Sequence, residues 1–191
     1  VHIIPINGPE VTTTGDATNE DTAVAIGDNI AIVIDDPLGS EALVQVDITG
    51  FPVGATVTYT DTSGNAQTVV ITTPGGGITI SGGTEADIRN SLATVSVTPP
   101  LHDDRDLSLQ VTATTLDIST ATFTDTKPLV IAVHAVADAP VGSGSGIGDE
   151  DTFIAVPITV SLTDADGSET IEYVDISGIP AGATVQWAST A

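Results

Sequence analysis

Cysteine and methionine are absent from this 191-residue chain, and 3 Lys and Arg face 26 Asp and Glu, a net charge of −23. Without Cys there is no disulfide staple, thiol nucleophile or thiolate metal site. Metal ions can replace disulfides in a secreted chain, so the absence does not by itself imply the cytosol. So few cations make nucleic acid and anionic membrane surfaces poor candidates as partners, because binding either needs Lys and Arg. Long apolar runs are missing too. The longest, residues 129–137, is interrupted by His134 and falls well short of the ~20 residues that span a bilayer, so no membrane insertion is expected. The first residues do not read as a signal peptide, and a chain starting at Val1 reads as a piece of a longer one.

What is present is enough for a core. Apolar residues make up 40% of the chain and the mean hydropathy is +0.28, which separates it from disordered chains of high charge and low hydrophobicity. Repulsion among the acids opposes compaction and calls for a neutralising partner. The length suits one or two domains of the usual ~100–200 residues.

The chain repeats itself. Asn19-Glu20-Asp21-Thr22 recurs as Asp149-Glu150-Asp151-Thr152, 130 residues on. Asp36-Pro37-Leu38-Gly39-Ser40-Glu41 recurs 128 residues on as Asp164-Ala165-Asp166-Gly167-Ser168-Glu169, and the phrase from Val46 to Val57 returns at the same offset from Val174 to Val185. Val1-His2 leading to Pro9 parallels Val133-His134 leading to Pro140. Collinear matches of this kind divide the chain into the last strand of a preceding repeat (1–8), one complete repeat (9–139) and the N-terminal part of the next (140–191).

Within the complete repeat, apolar and polar residues alternate at 56–59, 68–71, 95–97 and 107–111, with Thr and Val dominant. Gly and Pro turns separate these runs. Thr84 followed by Asp87 resembles a capping box, and Ile88 and Leu92 share a face, so one short helix is expected over 85–93. Many short strands with such turns predict an all-β fold, an antiparallel β-sandwich in tandem with one helix per unit.

Several phrases together resemble the tandem extender repeats of giant bacterial RTX-type surface adhesins. They are Ala137-Asp138-Ala139-Pro140 at the unit boundary, Glu150-Asp151-Thr152, the run from Leu162 to Thr170, Ser177-Gly178-Ile179-Pro180-Ala181-Gly182-Ala183, and the helix phrase Gly83-Thr84-Glu85-Ala86-Asp87-Ile88 with the later Pro99-Pro100. The resemblance covers nearly the whole chain and rests on the combination. It implies cadherin-like or immunoglobulin-like sandwiches joined end to end, Ca2+ at the junctions, and type I secretion to the outer bacterial surface. The first unit departs from the pattern where Leu38 replaces the later Asp166 and Asn7 replaces the later Asp138.

The carboxylates suit calcium, which takes roughly six to eight oxygens. Asp164-x-Asp166-Gly167-x-Glu169 supplies three of them around a Gly that lets the chain turn sharply. A solvated acidic turn is the alternative reading of that loop alone. If residues 22–34 form the first traverse, from the proximal end where the chain comes in to the distal end where it leaves, then Asp36 and Glu41 lie at the distal end. The last strand, 129–137, must finish there, bringing Asp138. Its antiparallel neighbour, 107–115, begins there with Asp103, Asp104 and Asp106, and Glu150 and Asp151 open the next unit at the same junction. Glu20 and Asp21, the repeat partners of Glu150 and Asp151, complete the candidate metal set. Unneutralised, such a cluster would be strongly repulsive, and bound calcium resolves it.

Other constellations carry less. His2 and His134 occupy matching strand positions and read as packing or inter-strand residues, while His102 adjoins two acids whose oxygens a hard cation prefers to imidazole. Three scattered His without Cys argue against zinc. No Gly-x-Ser-x-Gly elbow supports a hydrolase, and Gly142-Ser143-Gly144-Ser145-Gly146 lacks the third Gly of a dinucleotide loop, Ile147 standing in its place. Trp187, Tyr59 and Tyr173 read as packing residues. The expectation is a non-enzymatic, monomeric extender whose partners are neighbouring repeats of its own chain. It would be stiffened by calcium and project a distant binding domain in cell adhesion and biofilm formation. A sugar- or peptide-binding module of the same adhesin, and a spacer in an extracellular polysaccharide-degrading enzyme, are the alternatives.

Overall fold

The computed structural model describes residues 8–36, 39–164 and 167–187. The expected strand of a preceding repeat (with His2 and Asn7), Leu38 and Asp166 lie outside the described residues.

Two sheets carry most of the strands between residues 16 and 134. The larger joins β2 (Asp16–Asn19), β11 (Thr122–His134), β10 (Leu107–Asp117), β5 (Glu41–Phe51) and β8 (Gly76–Ser81), in that order. The smaller joins β3 (Val24–Ala25), β9 (Ser96–Thr98), β6 (Thr56–Thr60) and β7 (Ala66–Val70). All described pairings are antiparallel except β2 with β11. β1 (Glu10–Thr13) pairs with β4 (Ile30–Val33). The fold is an all-β sandwich of the immunoglobulin-like kind, two sheets closed over one core.

Period-two alternation builds that core. Along β10, Leu107, Leu109, Val111 and Ala113 are buried while Ser108 and Gln110 face out. Val46 and Ile48, Leu129 and Ile131, and Val57 and Val97 of the facing sheet join the same cluster. The helix α1 (Glu85–Leu92) adds Ile88 and Leu92. Its expected capping box is present: the Asp87 carboxylate accepts from the Thr84 N–H at 2.8 Å, and Thr84 Oγ1 accepts from the Asp87 N–H at 3.3 Å. Asp therefore closes a box that Glu or Gln more often closes.

Residues 140–187 are built differently. β12 (Val141–Gly144) pairs with β13 (Ile158–Ser161), and Phe153, Ile158, Tyr173, Val174, Ile176 and Trp187 stay exposed. Local geometry nevertheless repeats. Gly54 and Gly182 both have left-handed φ (+95° and +89°), and Ala55 and Ala183 donate their N–H to Pro52 and Pro180 (3.2 and 3.1 Å). Asp21 and Asp151 are left-handed alike, at +56° and +59°. The recurring phrases thus encode the same turns in both copies.

The strand directions correct one expectation. β1 and β2 make the first traverse, and β2, parallel to β11, ends at the distal end with Asn19 beside His134. β4 then runs back antiparallel to β1. Residues 22–34 are therefore a return leg rather than the first traverse. Asp36 and Glu41 fall at the proximal end, where Glu41 pairs with Asp117, and Glu20 and Asp21 fall at the distal end.

Candidate functional site

At the distal end of the sandwich, four segments of the chain meet in a seam. The turn after β2 brings Glu20 and Asp21. The loop between β9 and β10 brings residues 102–106, because Leu107 starts β10 opposite Ile131 of the departing β11. The chain leaving β11 brings Asp138. The segment after β13 returns Asp164 and Glu169, because Val141 is in register with Ser161.

Hydrogen bonds sew these segments together. Glu20 is 3% exposed. Its Oε1 accepts from the Val136 N–H, while Oε2 is buried without a hydrogen-bond partner among the described residues. Glu169 does the same across the boundary: Oε1 accepts from the Asp138 N–H and Oε2 is buried with no partner among the described residues. Asp21 Oδ1 accepts from the His102 N–H at 2.9 Å. Asp164, 3% exposed, accepts from the Ser168 hydroxyl at 2.7 Å, and Thr163 donates to the Ala139 carbonyl at 2.9 Å. A cleft of about 330 Å³ opens beside them, lined by Asp138, Pro140, Leu162, Glu169 and Tyr173 among others.

Cations are scarce here. Of the 3 Lys and Arg in the chain, Arg89 pairs with Glu85 and Lys127 with Asp125. Arg105 is the one in the seam loop, and it holds Asp103 through Nε at 2.7 Å. Asp106 accepts from the Val133 N–H at 3.0 Å, closing the edge of β11. Asp104 lies half-buried in the same loop.

Asp103, Asp104, Asp106 and Asp138 thus gather at the expected end, and so do Asp164 and Glu169. Four expected members do not. Asp36 and Glu41 lie at the proximal end, where the Asp36 carboxylate accepts from the Glu41 N–H and Glu41 accepts from the Thr115 hydroxyl. Glu150 and Asp151 sit in the turn where the β12–β13 ribbon reverses, with Thr152 Oγ1 donating to the Asp149 carbonyl. At ~3.3 Å per residue, nine residues of extended chain carry Glu150 roughly 30 Å from Val141. They belong to the far end of the second unit, as their repeat partners Glu20 and Asp21 belong to the far end of the first.

His102 joins the seam although the sequence around it favours its acidic neighbours as ligands. His102 Nδ1 lies 2.7 Å from Asp138 Oδ2 and 3.4 Å from Asp21 Oδ2, yet neither approach has hydrogen-bond alignment. Ligand atoms of Asp21, His102 and Asp138 all fall within 4.8 Å of one another. The signal lies in the fold, since 81 residues separate His102 from Asp21. His134 is exposed on β11. Tyr59 packs against the core, whereas Trp187 is 87% exposed.

No helix among the described residues is long and apolar enough to cross a membrane. No family model matches the chain, and no curated protein matches it. Among solved structures, murine CRIg aligns with 67% of this chain and 99% of its own, at 12% identity and a TM-score of 0.33.

Proposed function

We propose that this chain is an extender segment of a secreted bacterial surface adhesin, in which each sandwich is a spacer and calcium fixes the angle at the seam. The observation that carries the reading is the pair of buried, unpartnered carboxylate oxygens on Glu20 and Glu169. They come from opposite sides of the repeat boundary, in a seam whose Arg105 is already held by Asp103. Buried carboxylate oxygen without a donor is costly and is ordinarily matched by a donor or a cation. Oxygen donors dominate the seam, which fits a hard cation. Glu20, Glu169, Asp138 and Asp164 are the residues that would hold it.

Bound calcium would supply positive charge and coordination shared between the two repeats. The chain's own residues supply the rest. Glu20 fixes the departing strand through Val136, and Glu169 fixes the linker through Asp138. Without a cation the acids repel, and Gly142, Gly144, Gly146 and Gly148 give the following ribbon little resistance to bending. Extracellular calcium modules bind at ~10⁻⁴–10⁻³ M, which keeps such a seam loose during export and stiff outside the cell.

Small-angle scattering of this chain with and without millimolar calcium tests the reading. The maximum dimension and the melting temperature should both rise with calcium. Magnesium at the same concentration controls for charge screening. Equal responses to the two ions would reduce the seam to a solvated acidic surface.

A further inference from the structure

We propose that Asp21, His102 and Asp138 form a second metal position in the seam, sharing Asp138 with the calcium set and selective for an ion of the zinc class rather than calcium. The proposal rests on the seam reading above and deepens it by naming what that corner takes. Its donor set is one imidazole nitrogen and two carboxylate oxygens. Calcium needs roughly six to eight oxygens and has little use for imidazole, whereas borderline ions such as Zn2+ bind nitrogen and oxygen together. Zinc bonds of ~2.0–2.1 Å in a tetrahedron place neighbouring ligand atoms ~3.3 Å apart. Nδ1 stands 3.4 Å from Asp21 Oδ2, close to that spacing, and 2.7 Å from Asp138 Oδ2, a gap that would have to open by roughly 0.6 Å to admit the ion.

A second observation points the same way. Nδ1 is buried and makes no hydrogen bond although two carboxylates crowd it. Each ligand is also held by another seam group, as metal ligands usually are. Asp21 Oδ1 grips the His102 N–H, leaving Oδ2 for the ring, and Glu169 grips the Asp138 N–H. The ion would join the turn after β2, the β9–β10 loop and the inter-repeat linker.

The test uses the whole chain, stripped of metal, titrated separately with zinc chloride and calcium chloride. Binding is followed by calorimetry, and the imidazole ¹⁵N resonances by NMR. Zinc should shift the His102 ring nitrogens and bind at a concentration at least ~10-fold below calcium, in the order that favours zinc at nitrogen-containing sites. His102→Asn keeps a residue tolerant of the left-handed backbone at φ +53°. It should weaken zinc at least ~10-fold while leaving the calcium response in place. His134→Asn should change neither. Calcium binding with no movement of the His102 nitrogens by zinc would overturn this position and leave the seam reading standing. Zinc binding that survives His102→Asn, or is lost in His134→Asn, would overturn it equally. No response to either ion would overturn both.

Discussion

Glu20 and Val136 are joined across the distal end of the sandwich: the carboxylate Oε1 accepts the Val136 N–H, and its second oxygen is buried without a partner. The bond links residues 116 apart in sequence, and it positions the strand that runs on to Asp138. Glu20→Ala should destabilise the metal-free chain by about 1–3 kcal/mol, because it removes the charged acceptor of the Val136 N–H. Glu20→Gln should keep the amide bond and cost less, while reducing the gain in melting temperature that calcium brings. Urea denaturation with and without calcium measures both effects.

Equivalent residues of the two repeats should behave oppositely. Ile48 is fully buried between the sheets, whereas its counterpart Ile176 is 58% exposed. Ile48→Ala should cost about 2–5 kcal/mol, the range for a truncated core side chain. Ile176→Ala should stay within about 0.5 kcal/mol, as surface changes do. Thermal melts of the two variants make the comparison, and similar losses would mean that residues 140–187 share the core.

Acid should loosen β1 from the larger sheet. The Asp125 carboxylate accepts the Val11 N–H at 2.8 Å and the Lys127 ammonium at 3.0 Å. The Val11 amide first, then Lys127, holds its carboxyl below the ordinary 3.8. A carboxyl depressed on folding contributes stability that is complete above its unfolded value and is lost as pH falls through its folded value. The contribution is therefore present above about pH 4 and vanishes below it. Asp125→Asn, which keeps an acceptor but cannot titrate, should flatten this part of the pH profile. Amide exchange at Val11 across pH 2–6, corrected for intrinsic rates, reads it directly. An unchanged profile in the variant would assign acid sensitivity elsewhere.

Much of this architecture is legible in the chain. The alternation of Leu107, Leu109 and Val111 marks β10, and Thr84 with Asp87 marks the start of α1. The direction of the strands is not legible, because β1 and β2 are four-residue, Thr-rich pieces divided by Thr14 and Gly15. Such pieces show little period-two signal, and overlooking one traverse exchanges the two ends of the sandwich. That exchange moved Asp36 and Glu41 away from the seam and moved Glu20 and Asp21 into it. His102 was hidden for another reason. Its partners arrive from β2 and from beyond β11, and nothing local distinguishes it from a loop histidine beside acids.

The exchange of ends yields the most discriminating experiment. Asp138 stands in the seam with its N–H held by Glu169, while Asp36 and Glu41 are bonded to each other at the opposite end. Asp138→Asn keeps the backbone bond and removes one anionic oxygen donor from the seam. If it weakens calcium ~10-fold, then at a calcium concentration 100 times the original dissociation constant the stabilisation should fall by about 1.3 kcal/mol. Asp36→Asn and Glu41→Gln alter only the proximal end, so each can change the melting temperature without calcium but should leave the calcium-dependent increment intact. The measured quantity is that increment, variant by variant, at matched ionic strength. A smaller increment in Glu41→Gln than in Asp138→Asn would place the calcium-responsive acids at the proximal end and refute the seam.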